Sequence, residues 1–342
     1  MTKRQVSLKL SYQNYIEQPP VPPNVLFNNA CSSDNITINT WRKTWIDQVL
    51  ANKKKFGKFS DHSIGKKFGS HKYKPGIIAG SGPSLAYNSH LLKNRGDIPL
   101  VSCLHNYHHF EDQGITPDYY VSLDAGPVVL EEVSEGGTKT PDEYWASTKG
   151  KNLCAFIGTS PELFEKWQGN VFLFNAPVPD KEYLEATESD EKFSLYVSNG
   201  GNVLGACLYI TKAIFGCNPI AFVGADFSFS YDEGRGPKFH GWDSKYDSNI
   251  GNAVSATDIF GNRILTWMSY HNFKNWFDFI ALTIPGDYVN CTEGGILGAY
   301  RDGNIMAIKQ QSLEKFITKY ELCENIRSCC ENPTIDEKRI LF

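Results

Sequence analysis

From residue 75 onward, short apolar runs alternate with stretches of helical character, and that alternation constrains the fold more than any other feature of the chain. Gly76 to Ala79, Pro99 to Cys103, Tyr119 to Leu123, Leu153 to Ile157, Val171 to Phe174 and Ile220 to Val223 have strand length. Strands separated by helical stretches imply βαβ units, so the pattern predicts an α/β fold: a mostly parallel sheet flanked by helices. Ligands of such sheets bind past the carboxyl ends of the strands. Polar residues follow four of those ends: Gly80 to Ser84, then His105 and Asn106, then Asp124, then Asp226.

Ile77-Ile78-Ala79-Gly80-Ser81-Gly82-Pro83-Ser84-Leu85 reads as a strand, a tight turn and a helix start. Glycines let the backbone approach a phosphate, and a helix N-terminus offers free N–H groups and partial positive charge. Pro83 suits a first helical turn, and Ser84 is placed to cap it or to bond a ligand oxygen. The turn is not a Walker A loop, because no Gly-Lys-Ser/Thr follows. It is not a dinucleotide fingerprint, because Leu85 stands where a third glycine belongs. The competing reading is a plain strand-to-helix turn.

A second glycine-rich helix start is Asn199-Gly200-Gly201-Asn202. Val203, Cys207, Ile210 and Ile214 follow at helical spacing, apolar residues fill the other sides, and Gly216 ends the run, so a buried helix is predicted. Asn199, Gly200 and Gly201 could hold another anion or sugar hydroxyls, or merely cap a core helix. Phe227 to Phe260 is polar, glycine-rich and aromatic, and reads as a long loop or lid containing His240. A helix from Ile264 to Leu282, a strand from Tyr288 to Cys291 and a last helix from Asn304 to Cys323 are expected after it.

The 342 residues carry a net charge of -4, which offers nucleic acid no general attraction. Between Asn52 and Lys74, however, stand eight lysines and one acid, Asp61, with Phe56, Phe59, Phe68 and Tyr73 among them. Such a stretch binds single strands, overhangs an anion site, or is a solvated face with anchoring aromatics; the last is the ordinary case. Upstream, Pro19 to Pro23 predicts a polyproline II arm and Trp41 to Leu50 a short helix. Nine scattered cysteines without a CxxC pair point to a reducing compartment and away from zinc. No secretory h-region and no span of about 20 apolar residues is visible, so a cytoplasmic protein without membrane contact is expected. The expected organisation is an N-terminal arm and short helix (1–74), a binding domain (75–300) and a C-terminal helix and tail (301–342), with a homo-oligomer contact possible through the last helix.

Four separated motifs, Ile77 to Leu85, Pro117 to Asp124, Ser198 to Phe229 and Asn290 to Gly295, resemble the 6-hydroxymethylpterin diphosphokinase MptE-like family, which also holds the Maf motility-associated glycosyltransferases. The first motif also resembles bacterial sialyltransferases that use a CMP-activated sugar. The resemblance implies a Rossmann-like, nucleotide-dependent transferase. Its two branches move diphosphate from ATP with magnesium, or a nonulosonic sugar to a protein acceptor. The pterin branch carries Asp-Leu-Asp-Gly after the third strand. Here the order is Ser122-Leu123-Asp124-Ala125-Gly126, without the first acid, so glycosyl transfer from a CMP-sugar-like donor to an unknown acceptor is the favoured reading. The alternatives are ATP-dependent diphosphate transfer and a non-catalytic nucleotide-binding scaffold. Under this resemblance Gly80, Ser81, Gly82, Pro83 and Ser84 hold the donor phosphate, with Asn106, Asp124, Asn199, Gly200 and Gly201 as further nucleotide contacts. His240 is the candidate general base, with Asp226 and Glu293 as alternates, and Asp124 and Asp226 are the acids available to magnesium.

Overall fold

A computed structural model describes residues 23–188, 195–232, 236–238, 253–299 and 307–321, with the backbone alone at 23–34, 188, 230–232, 236–238 and 321. Its strands are β1 (Gly76–Ala79), β2 (Leu100–Cys103), β3 (Tyr119–Ser122), β4 (Asn152–Phe156), β5 (Asn170–Phe174), β6 (Ile220–Val223), β7 (Ser230–Asp232), β8 (Gly236–Lys238), β9 (Ala253–Thr257), β10 (Arg263–Trp267), β11 (Tyr288–Asn290) and β12 (Ile308–Gln310). Eight of them form one sheet in the order β12-β11-β6-β1-β2-β3-β4-β5. The pairings from β2 to β5 and from β6 to β12 are parallel. The predicted α/β sheet flanked by helices is therefore the observed fold. All six predicted strands are present, and every residue of β1, β2, β3 and β6 is buried, as in a sheet covered on both faces. The order runs outward from β1 to β5 and returns on the far side of β1 with β6. That reversal is a topological switch point.

The named helices are α1 (Pro23–Phe56), α2 (Tyr107–Gln113), α3 (Val128–Ser134), α4 (Val203–Tyr209), α5 (Met268–Thr283) and α6 (Leu313–Glu321). Three expectations need correction. The helix expected at Trp41–Leu50 is much longer: α1 begins at Pro23, which a first turn tolerates, and ends before Gly57 at φ 70°. Residues 28–40 are rich in Asn, Ser and Thr, whose weak helix preference hid the start. The loop expected over Phe227–Phe260 contains the β7–β8 hairpin and β9. The helix expected from Ile264 begins instead as β10, antiparallel to β9, with Ile264 and Thr266 inward; α5 starts only at Met268. The last helix is preceded by β12. The arm expected at the N-terminus lies outside the described residues.

Compactness divides the chain into two units. One comprises Asp34–Ile78 and Pro99–Asn218, and buries Tyr107, Tyr120, Tyr144, Phe174 and Tyr183 completely. The lysine-rich stretch belongs to it. Phe59 and Ile64 are its anchors, and His71 packs on Tyr119 and Phe215. Tyr119 opens β3, so residues 66–74 lie at the amino-terminal edge of these strands, opposite His105 and Asp124. In the same unit α4 is buried, continues as a π-turn (Ile210–Ile214) and stops before Gly216 at φ 79°, as the sequence predicts. The other unit comprises Ala79–Ile98 and the described residues from Pro219, together with α1 up to Ser33; its core holds Phe222, Phe229, Phe277 and Tyr288. Cys103, Cys154, Cys207, Cys217 and Cys291 are buried and form no disulfide. Among the described residues no helix is long and apolar enough to cross a membrane.

Candidate functional site

The glycine turn lies at the switch point, joining β1 to the loop after β6. Gly80 N–H donates to the Val223 carbonyl at 2.9 Å, and Gly82 N–H to the Gly224 carbonyl at 2.8 Å. Ser84 donates its N–H to both oxygens of Asp226, at 3.2 and 3.3 Å, and its hydroxyl to Oδ2 at 2.6 Å. The expected nest of free amides is thus corrected. Gly80, Gly82 and Ser84 direct their N–H groups to acceptors inside the protein, and Pro83 has none. Ser84 does not cap the following helix with its side chain, and that helix is only Leu85–Asn88. Ser81 and Gly82 remain partly open to solvent.

Asp226 is 4% exposed, and its carboxyl is walled by glycine. A Cβ on Gly82 would run into that carboxyl and into the Gly224 carbonyl, and a Cβ on Gly295 would strike the Asp226 backbone. Asp226 carbonyl also accepts from Ile296 N–H at 2.8 Å. These contacts give Asp226 a role in fixing the two loops together. Glu293, at φ 60°, accepts the N–H of Leu313 at 3.2 Å and so closes the start of α6. His240 lies outside the described residues.

The Asp34–Ile78 and Pro99–Asn218 unit has its own cluster at the carboxyl ends of β2 and β3. His105 Nδ1 stands 3.5 Å from Glu132 Oε1 on α3. Asp124 follows β3, exposed to solvent yet with protein packed around it. That surrounding protein first, and then Glu132, push its carboxyl up to about 7, while His105 pulls the other way. Ser122 Oγ is buried at the end of β3 with no hydrogen-bond partner. Asn106 is buried and donates to Ser102 Oγ at 2.9 Å, so it braces its own loop where a nucleotide contact was expected. In the second glycine loop Asn199 Oδ1 accepts from Gly201 N–H, and Asn202 Oδ1 from Gly205 N–H, at 2.8 and 2.9 Å. Those bonds make an Asx turn and a helix cap, with Gly200 and Gly201 at positive φ. Glu132 was missed by sequence reasoning: it is one of two adjacent acids in a short helix, and only the fold covers its side chain and brings it to His105.

A magnesium site needs several hard oxygen ligands. Among the described residues no group of three His, Cys, Asp or Glu side chains is arranged to hold a metal ion. Both carboxyl oxygens of Asp226 are engaged by Ser84, so among the described residues the side chains do not by themselves assemble a magnesium site.

A family model described as 6-hydroxymethylpterin diphosphokinase MptE-like matches residues 47–232. No curated protein matches the chain. Among solved structures, the MAf glycosyltransferase from Magnetospirillum magneticum AMB-1 is similar at 15% identity and a TM-score of 0.50, over 75% of this chain and 37% of that one. The chain therefore spans little more than a third of that protein, and at this identity the likeness is one of fold.

Proposed function

Because the chain belongs to the 6-hydroxymethylpterin diphosphokinase MptE-like family, we propose that it is a nucleotide-dependent transferase that moves a glycosyl group from a CMP-sugar-like donor to an acceptor hydroxyl. The observation that carries the glycosyl reading is Ser122. Where the diphosphokinase branch resembled by this sequence has its first acid, this chain has a buried hydroxyl at the end of β3, leaving Asp124 as the lone acid of that loop. The reaction needs no metal ligand from the chain at that point. It needs a group to receive the acceptor's proton as the new C–O bond forms and the phosphate leaves with its electron pair. Asp124 is accessible, and with a carboxyl near 7 it exchanges a proton readily at neutral pH. His240 remains a proposed partner in that step, and the glycine turn lies at the switch point where such sheets take ligands.

Thermal unfolding with CMP, CDP, UDP, GDP, ADP and ATP, each with and without magnesium, tests the reading. CMP or CDP should raise the melting temperature without magnesium. A shift with ATP and magnesium alone would favour diphosphate transfer, and no shift with any nucleotide would remove the proposal. A second reading is a nucleotide-binding protein without turnover. Nucleotide binding with no donor hydrolysis would select it.

A further inference from the structure

We propose that Trp41, on the long N-terminal helix, is the stacking wall for a nucleobase bound beside the β3 loop. This rests on the reading that a nucleotide occupies the carboxyl edge of the strands; it adds which part of the ligand is gripped, and by what.

The helix α1 is fixed along that edge by contacts to three successive loops. Gln48 Nε2 donates to the Ala125 carbonyl at 2.8 Å in the loop after β3. Asn52 Nδ2 donates to the carbonyls of Ile157 and Thr159, at 2.8 Å each, after β4. Arg42 pairs with Asp180 at 3.3 Å, beyond β5. Trp45 meets Phe156 edge-on at 6.2 Å. The helix is thereby held against the loops that follow β3, β4 and β5.

Trp41 is different from Trp45. It is 37% exposed, and among the described residues no aromatic ring stacks on it. Its ring lies against Gly126, two residues from Asp124, so closely that a Cβ there would be 3.3 Å from Cη2. A partly open aromatic surface in the same loop region as an accessible acid fits a flat ring with polar edges, which a nucleobase supplies and an aliphatic acceptor does not. Trp41 also precedes the family match, which begins at residue 47.

The test is calorimetric titration of the full chain with CMP, with ATP and with base-free ribose 5-phosphate, comparing wild type, Trp41→Phe and Trp41→Ala. Loss of the ring should weaken the better-binding nucleotide by about tenfold, while Trp41→Phe stays close to wild type and ribose 5-phosphate binding is unchanged in both. Equal nucleotide affinity in Trp41→Ala and wild type would overturn the stacking role and leave the transferase reading standing. Equal weakening of nucleotide and ribose 5-phosphate would also overturn it, by marking a structural effect. A wild type that binds no nucleotide would take both proposals with it. Melting temperatures of the ligand-free variants check that each is folded.

Discussion

Asp226 sits beneath a glycine turn with the N–H and O–H of Ser84 as donors. Removing a buried acceptor strands its donors, so Asp226→Ala should cost about 1–3 kcal/mol of stability, read from the urea midpoint. Asp226→Asn keeps one acceptor oxygen and should lose less. Gly82→Ala leaves every one of these groups in place but puts a methyl into the Asp226 carboxyl, and should cost about 1–3 kcal/mol by overpacking. The raised carboxyl of Asp124 sets a sign for pH. An ordinary aspartate titrates at about 3.9, so between there and about 7 the folded state binds the extra proton. Its contribution to stability is complete below the lower value and is lost as pH rises through the upper one. Melting temperature followed from pH 4 to 8 should fall less steeply in Asp124→Asn than in wild type; identical slopes would show that the carboxyl is not raised.

At the scale of elements, α1 is held to the sheet edge by side-chain amides. Asn52→Leu has similar volume but leaves the carbonyls of Ile157 and Thr159 without their donor, and should destabilise by about 1–3 kcal/mol. Helix α2 tests a different cause. It ends at Gly114, φ 65°, where a Cβ would meet nothing within 4 Å. Gly114→Ala should therefore cost only the left-handed backbone strain, about 1–2 kcal/mol, and a larger loss in chemical denaturation would mean an additional packing role. The elements differ in how legible they were. Strands buried on both faces write continuous apolar runs, so β1 to β6 could be read directly. The β9–β10 hairpin could have been read from two five-residue alternations around Asp258-Ile259-Phe260-Gly261-Asn262, but the aromatic spacing of Trp267, Tyr270 and Phe273 extended the helical period across the boundary. Asp258 Oδ1, accepting from Phe260 and Asn262 N–H, is the Asx turn that closes that hairpin.

For the whole molecule, ligand linkage gives the broadest prediction. A nucleotide that binds only the folded chain, at a hundred times its dissociation constant, adds about 2.7 kcal/mol, enough to displace thermal unfolding by a few degrees in a calorimeter. The same nucleotide at the same concentration should leave the Asp226→Ala variant less stable than wild type by an unchanged margin if Asp226 only fixes loops. A smaller ligand gain in the variant would instead place Asp226 in the binding site.

The sequence by itself determined the α/β class, the number and place of the main parallel strands, and the glycine turn after the first of them. Burial on both faces and the permissiveness of glycine are local properties, and local properties are written in local order. Only the tertiary structure decided what the turn does with its amides, because Ser84 and its acceptor are 142 residues apart. The same is true of Glu132 beside His105 and of Trp41 beside Gly126. Each depends on which strand lies next to which, and the hydrogen bonds and contacts that settle it carry no periodic trace along the chain.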